Sequence, residues 1–195
     1  MEVGKTVYFD RPGRDNTASV AEAVRERCAE LGIRHVVVAS NTGATALALS
    51  DALKDQGITL VSVAEHAGFS GGDQQHLSDE QRSRLDQNGI KVLICSHALS
   101  GVGRSITRKF GGTSHTEVIA WTLRLFGTEG IKVAVEVAVM AADAGLVPTD
   151  REIIAVGGSG GGADSAVVLK AAHMNNFFDL EIREIIAKPR QRKQG

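Results

Sequence analysis

The sequence predicts an α/β protein, a mostly parallel sheet covered by helices on both faces and carrying an antiparallel edge. Three observations carry this. Along the first half, β-branched runs of strand length alternate with stretches whose apolar residues recur at helical spacing. A strand-helix-strand order repeated in this way is solved economically by right-handed crossovers onto a parallel sheet. No internal repeat or long linker breaks the 195 residues, so the reading is one domain spanning 1–195.

In chain order, Lys5 to Phe9 reads as a short strand broken by Arg11-Pro12-Gly13. Val20, Ala23, Val24, Cys28 and Leu31 then fall on one helical face, with Asn16 as N-cap and Gly32 as the stop. His35 to Ala39 and Thr59 to Val63 are strands separated by the helical spacing of Ala46, Leu49, Ala52 and Leu53, with Gly57 near its end. Ser78-Asp79-Glu80-Gln81 is a capping box that opens a helix before the strand Lys91 to Cys95. Ser114-His115-Thr116-Glu117 is another, opening a helix through Val118, Trp121, Leu125 and Phe126 that Gly127 closes. Residues Ile131 to Ala144 are apolar on nearly all sides and read as a buried helix ending at Gly145, a core element in preference to an interface. Within it Glu136 is expected to turn its carboxylate to a buried donor, and Asp143 to sit near solvent at the helix end. Glu152 to Val156 reads as a strand. Ala166 to Ala171 and Leu180 to Ala187 read as two more, joined by a turn at Asn175-Asn176 and forming the antiparallel edge.

Composition excludes several classes. A net charge of −1 with 4% aromatic residues leaves no electrostatic footprint for nucleic acid and little to stack on bases. The basic stretch Lys188 to Lys193 reads as a solvated end. No stretch approaches a membrane span, and the start lacks the apolar region of a secretory signal, so the expected location is the cytoplasm, with no membrane partner. Cys28 and Cys95 lie in apolar segments without companion ligands, which favours reduced core thiols over a metal site.

The functional signal lies in the loops after the strands. In a parallel sheet, ligands bind outside the carboxyl ends of strands, where helix N-termini present free amides. The segment Ser40-Asn41-Thr42-Gly43-Ala44-Thr45 occupies such a junction. Gly43 allows close approach of an anion, while Ser40, Thr42 and Thr45 offer hydroxyls; the plainer alternative is that Ser40 and Asn41 only cap a helix. The next strand ends are followed by Glu65-His66-Ala67-Gly68-Phe69 and by Ser96 to Arg104, which contains His97, Ser100 and Gly101. His66 and His97 are the candidate acid or base groups, and Arg104, after Gly-Val-Gly, is the candidate charged anchor, with Lys109 and Gly111-Gly112 continuing its loop. Each histidine alone reads more readily as a satisfied structural residue; their joint placement on one rim reverses that reading. The run Gly157 to Gly162 follows a strand but precedes another strand, which argues against a dinucleotide fingerprint and leaves an anion nest, a hinge or a close-packed turn.

The segments VVVASNTGATA, HAGF, SHALSGVGR with FGG, VEVAVMAADAGL, VGGSGGGADSA and AHMNNFFDL, spread from Tyr8 to Pro189, resemble stand-alone prokaryotic, largely archaeal, proteins related to the C-terminal α/β domain of pyruvate kinase. The resemblance implies a three-layer domain without that enzyme's catalytic barrel, so pyruvate kinase activity is expected to be absent. In pyruvate kinases the loop similar to SNTGATA receives the phosphate of an allosteric sugar bisphosphate through a Ser-Gly-Arg-Ser or Ser-Gly-Arg-Thr sequence. Ala44 stands in the arginine's place here, which leaves sugar bisphosphate specificity open while the hydroxyl and amide cradle survives. The stand-alone proteins resemble flavin mononucleotide (FMN) binders. Carried onto this chain, that implies Ser40, Asn41, Thr42, Gly43 and Thr45 around the phosphate, with His66, Gly68, Ser96, His97, Ser100, Gly101 and Arg104 as further contacts, and Phe69, Leu99 and Val102 as lining for the ring. The expectation is therefore a protein that binds FMN as its phosphorylated ligand, with a flavin-dependent redox role open to it and no metal; the alternatives are a non-catalytic sensor of a phosphorylated metabolite, or an isomerase or hydrolase using His66 or His97. A homo-oligomer is compatible with each.

Overall fold

The computed structural model describes residues 4–191; Arg192 and Lys193 of the basic end lie outside the described residues. Thirteen elements follow one another: β1 Val7–Phe9, α1 Thr17–Leu31, β2 His35–Ala39, α2 Ala44–Ala52, β3 Thr59–Glu65, α3 Asp79–Gln87, β4 Lys91–Cys95, α4 Gly101–Phe110, α5 His115–Arg124, α6 Glu129–Asp143, β5 Glu152–Gly157, β6 Ser165–Lys170 and β7 Glu181–Pro189. Short 3₁₀ turns, Arg14–Asn16 and Met174–Asp179, join β1 to α1 and β6 to β7.

The strands form one sheet in the order β1-β7-β6-β5-β2-β3-β4. All pairs are parallel except those of β6, which runs antiparallel to both β5 and β7. The reversed strand is therefore interior, because β1 adds in parallel outside β7 and forms the edge. The nearly continuous burial of β3, β5 and β6 follows from helices lying on both faces.

Two apolar layers flank the sheet. On one face Val20, Val24 and Cys28 of α1, Leu49 of α2 and Leu85 of α3 pack on Val36, Val38, Ile154 and Val156. On the other, Ile131, Val135, Ala138 and Ala142 of α6 pack on Val37, Val61, Ile153 and Val167. Helix α6 is core, buried over almost its whole length. Burial pushes the Cys28 thiol up to about 12, and Cys95 is a free, half-buried thiol.

Both capping boxes form, at Ser78 with Gln81 and at Ser114 with Glu117. Asn16 does not cap α1 with its side chain; its amide donates to the Arg11 carbonyl (2.8 Å). Gly101 to Phe110, read from sequence as a continuing loop, is helix α4; two glycines in its first turn mask its helical character. Helix α5 stops at Arg124, so Leu125 and Phe126 lie in the turn before Gly127. Val118, Trp121, Leu125 and Phe126 are exposed. In the basic stretch, Lys188 belongs to β7 and donates to the Phe126 carbonyl (2.6 Å), while Arg190 lies over the Tyr8 ring. Among the described residues, no helix is long and apolar enough to cross a membrane.

Candidate functional site

The parallel strands bring their carboxyl ends to one rim, where they wall a cleft of about 880 Å³. Its walls are the β2–α2 loop, the end of β3, His97 after β4, the glycine run after β5 and the first half of α6.

The β2–α2 loop divides its polar groups between structure and cleft. Ser40 donates its amide to Val63 O (2.9 Å) and accepts from the Ala46 amide on Oγ (3.3 Å). Asn41 Oδ1 accepts from the Glu65 amide (3.2 Å), tying the loop to β3. Ser40 thus takes one first-turn amide of α2, whereas Asn41 caps no helix and braces the loop against β3. Thr42 and Thr45 also line the cleft, and their hydroxyls form no hydrogen bond among the described residues. The first amides of α2, at Ala44 and Thr45, have no acceptor within the helix and favour negative charge. Gly43 does not line the cleft. It holds φ +81° beneath Leu85, where an added methyl would stand 3.1 Å from Cδ1.

Across the cleft, α6 supplies a buried ion pair that the sequence reading did not find. Lys132 Nζ donates to Glu136 Oε2 (2.5 Å), and both residues are almost fully buried and line the cleft. The other oxygen, Glu136 Oε1, accepts from the Leu99 amide (2.8 Å), so the carboxylate does turn to a buried donor. The missed signal was the i, i+4 placement of opposite charges inside an otherwise apolar helix. Lys132 supplies a cation to a cleft whose loop lacks a lysine of its own.

His97 stands at the same rim. Burial, seconded by Lys132 and His66, pushes its imidazole below the ordinary histidine range, against the opposing pull of Glu136 and Glu65. It forms a ring cluster with Phe69 (4.9 Å between centroids) and His66 (5.9 Å). Glu65, buried at the end of β3, is hydrogen-bonded to His76.

The glycine run is a close-packed turn with a buried clamp. Asp164 is fully buried; its Oδ2 accepts from the amides of Gly13 and Ser159 (both 3.0 Å), and its Oδ1 from the Ser165 hydroxyl (2.8 Å). The Ala163 amide donates to Thr17 Oγ1 (3.0 Å). An added methyl at Gly162 would stand 2.5 Å from Arg14 Cα, so the loop lies directly on the β1–α1 turn. Gly158 and Gly160 to Gly162 nevertheless give the cleft one wall, beside Arg14.

The sequence-derived residues divide between two neighbouring cavities. Ser40, Asn41, Thr42, Thr45, His97 and Arg104 line the main cleft. His66, Gly68, Ser100 and Gly101 line a second pocket of about 410 Å³, which shares Phe69 and Arg104 with the first. Ser96 is exposed and lines neither. Leu99 is buried and Val102 exposed, so neither lines the main cleft, whose apolar surface comes instead from Phe69, Val63, Val133 and Val137. Among the described residues, no cluster of His, Cys, Asp and Glu has the placement to hold a metal ion.

A mixed sheet between two helical layers, with one cleft at the carboxyl ends of its parallel strands, defines the class: a three-layer α/β domain. The family model described as the pyruvate kinase alpha/beta domain matches residues 18–169, and the chain belongs to that family. Among solved structures it is similar to two of Cryptosporidium parvum pyruvate kinase. One has a TM-score of 0.42 and 16% identity over 80% of this chain and 23% of that one. The other has a TM-score of 0.40 and 14% identity over 83% of this chain and 23% of that one. A Podospora anserina methyltransferase is similar with a TM-score of 0.33 and 12% identity, over 74% of this chain and 53% of that one. The chain spans about a quarter of the length of the pyruvate kinases it matches.

Proposed function

We propose that the main cleft binds a phosphorylated ligand, and that this ligand is FMN. The observation that carries the reading is the set of unclaimed donors on one wall: the Thr42 and Thr45 hydroxyls and the first amides of α2. These suit a phosphate. The remaining lining suits the rest of the molecule. Phe69, Val63, Val133 and Val137 supply apolar surface for a ring, and His97, Arg104 and Lys132 supply polar contacts. The volume lies within the range of small-molecule sites. Bound flavin would supply one- and two-electron redox chemistry. The protein's own part is to seat the phosphate at α2, to hold Lys132 as a fixed cation through Glu136, and to keep the His97 imidazole neutral near pH 7.

The test is the visible spectrum of the purified full chain, then titration with FMN followed by flavin fluorescence. Thr42→Val is the variant of choice because Thr42 is exposed, whereas a side chain at Gly43 would disturb Leu85. Saturable binding, weakened about tenfold or more by Thr42→Val, is the expected result. A colourless protein that ignores FMN removes the flavin assignment and favours a sensor of another phosphorylated metabolite. A Glu136-anchored Lys132 and a neutral His97 also serve an isomerase or hydrolase reading, which turnover lost in His97→Ala with affinity retained would favour.

A further inference from the structure

The two cavities that share Phe69 and Arg104 differ in charge. Arg14, Arg104 and Lys132 line the main cleft, but so do Glu65, Glu129 and Glu136, and formal charge balances there. The second pocket is lined by Arg104, Arg108 and Lys109 and by no acidic residue. All three cations come from α4, with Arg104 and Arg108 one turn apart, where like charges repel. None of the three forms a salt bridge among the described residues.

The mouth of α4 opens on the same pocket. Ser100, immediately before the helix, is 8% exposed and lines the pocket, yet its hydroxyl caps nothing and has no hydrogen-bond partner among the described residues. Only the Arg104 amide returns to the Ser100 carbonyl (3.2 Å), so the amides of Gly101, Val102 and Gly103 are left without helical acceptors. A hydroxyl without a partner on a residue nine-tenths buried, free helix-start amides and three cations outside any salt bridge, of which Arg104 lies over the Phe69 ring, converge on one cavity.

We propose that this pocket is a second anion site, taking the oxyanion of a small metabolite distinct from the ligand of the main cleft. The Ser100 hydroxyl and the first amides of α4 receive the oxyanion, and Arg104 and Arg108 neutralise it. Phe69, shared with the main cleft, gives the carbon skeleton of that metabolite an apolar surface beside the first ligand. The site goes beyond the flavin reading and does not depend on it. A phosphate monoester and a carboxylate share the required chemistry.

Calorimetric titration of the full chain with inorganic phosphate and, separately, with malonate, both at fixed ionic strength, tests the site. The variants are Ser100→Ala and the double variant Arg108→Ala with Lys109→Ala, set against Thr42→Val in the main cleft. The expected result is a saturable event that weakens roughly tenfold or more in both pocket variants and stays within about twofold in Thr42→Val, separable from any phosphate event in the main cleft, which Thr42→Val alone weakens. The tighter of the two probes identifies the oxyanion as phosphate or carboxylate. Absence of saturable binding overturns the proposal. So does binding lost in Thr42→Val but kept in the pocket variants, which assigns the anion to the main cleft. Weakening in the Arg108/Lys109 variant with Ser100→Ala unaffected also overturns it, because that is diffuse attraction to a basic helix. FMN affinity, read by fluorescence in the same variants, reports on the main cleft alone, so either site can fail without the other.

Discussion

Two glycine-containing loops follow parallel strands on the same rim, and they do opposite things. The loop after β2 leads into a helix and keeps the Thr42 and Thr45 hydroxyls and the first amides of α2 unclaimed. The loop after β5 leads into a reversed strand, and its strongest polar groups are turned inward: Asp164 accepts from the amides of Gly13 and Ser159, and the Ala163 amide donates to Thr17. A glycine at a strand end marks a close approach; the element that follows decides what approaches. Before helix α2 it is the Leu85 side chain, and the orphan amides beyond it stay free to face the cleft. Before an antiparallel strand it is the chain's own backbone.

Gly157→Ala breaks the second loop most severely. The new methyl would run into the Gly130 carbonyl oxygen and the Ala134 amide of α6, backbone atoms that cannot swing aside, and the expected loss is about 3 kcal/mol or more. Asp164→Ala comes next, at about 2–3 kcal/mol, since it strands two amides and a hydroxyl. Gly43→Ala in the first loop is milder, at about 1–2 kcal/mol, because its strain is a positive φ and the Leu85 side chain can yield. Urea midpoints at constant m measure all three. Equal losses at Gly43 and Gly157 would erase the distinction between the loops.

The smallest effect is that of pH. Because burial holds the folded His97 below the ordinary value of about 6.5, the unfolded chain takes up its proton first. Stability is therefore full above that value and falls as pH drops through it. Urea midpoints at about pH 7.5 and about pH 5.5 should show the fall. His97→Gln should shrink it without abolishing it, since burial together with Arg151 and Lys91 pushes His35 the same way. A fall of the same size in the variant removes His97 as its source.

Much of the fold is legible because period, caps and breakers agree locally, as at Ser78 with Gln81 and at Gly32 after α1. The place of β1 is not, since its partner β7 lies at the far end of the chain and nothing local encodes that pairing. Helix α4 is hidden by Gly101 and Gly103; Gly103 is required where Ser114 and Thr116 of the next segment press against it. In the candidate site, residues on strand-end loops are legible by position, as Thr42 and His97 are. Lys132 and Arg14 are not, because they reach the cleft from a core helix and from a turn beside the opposite sheet edge.

The most direct measurement is FMN affinity compared between the two loops, by fluorescence titration of the unmodified chain, Thr42→Val and Ser159→Ala. Ser159 lies in the second loop, and its hydroxyl is buried without a partner and outside the cleft lining. With the phosphate seated on the β2–α2 loop, binding is saturable, weakens about tenfold or more in Thr42→Val and is unchanged in Ser159→Ala. Affinity unchanged in Thr42→Val, or lost in Ser159→Ala, would contradict the assignment of the phosphate to the β2–α2 loop.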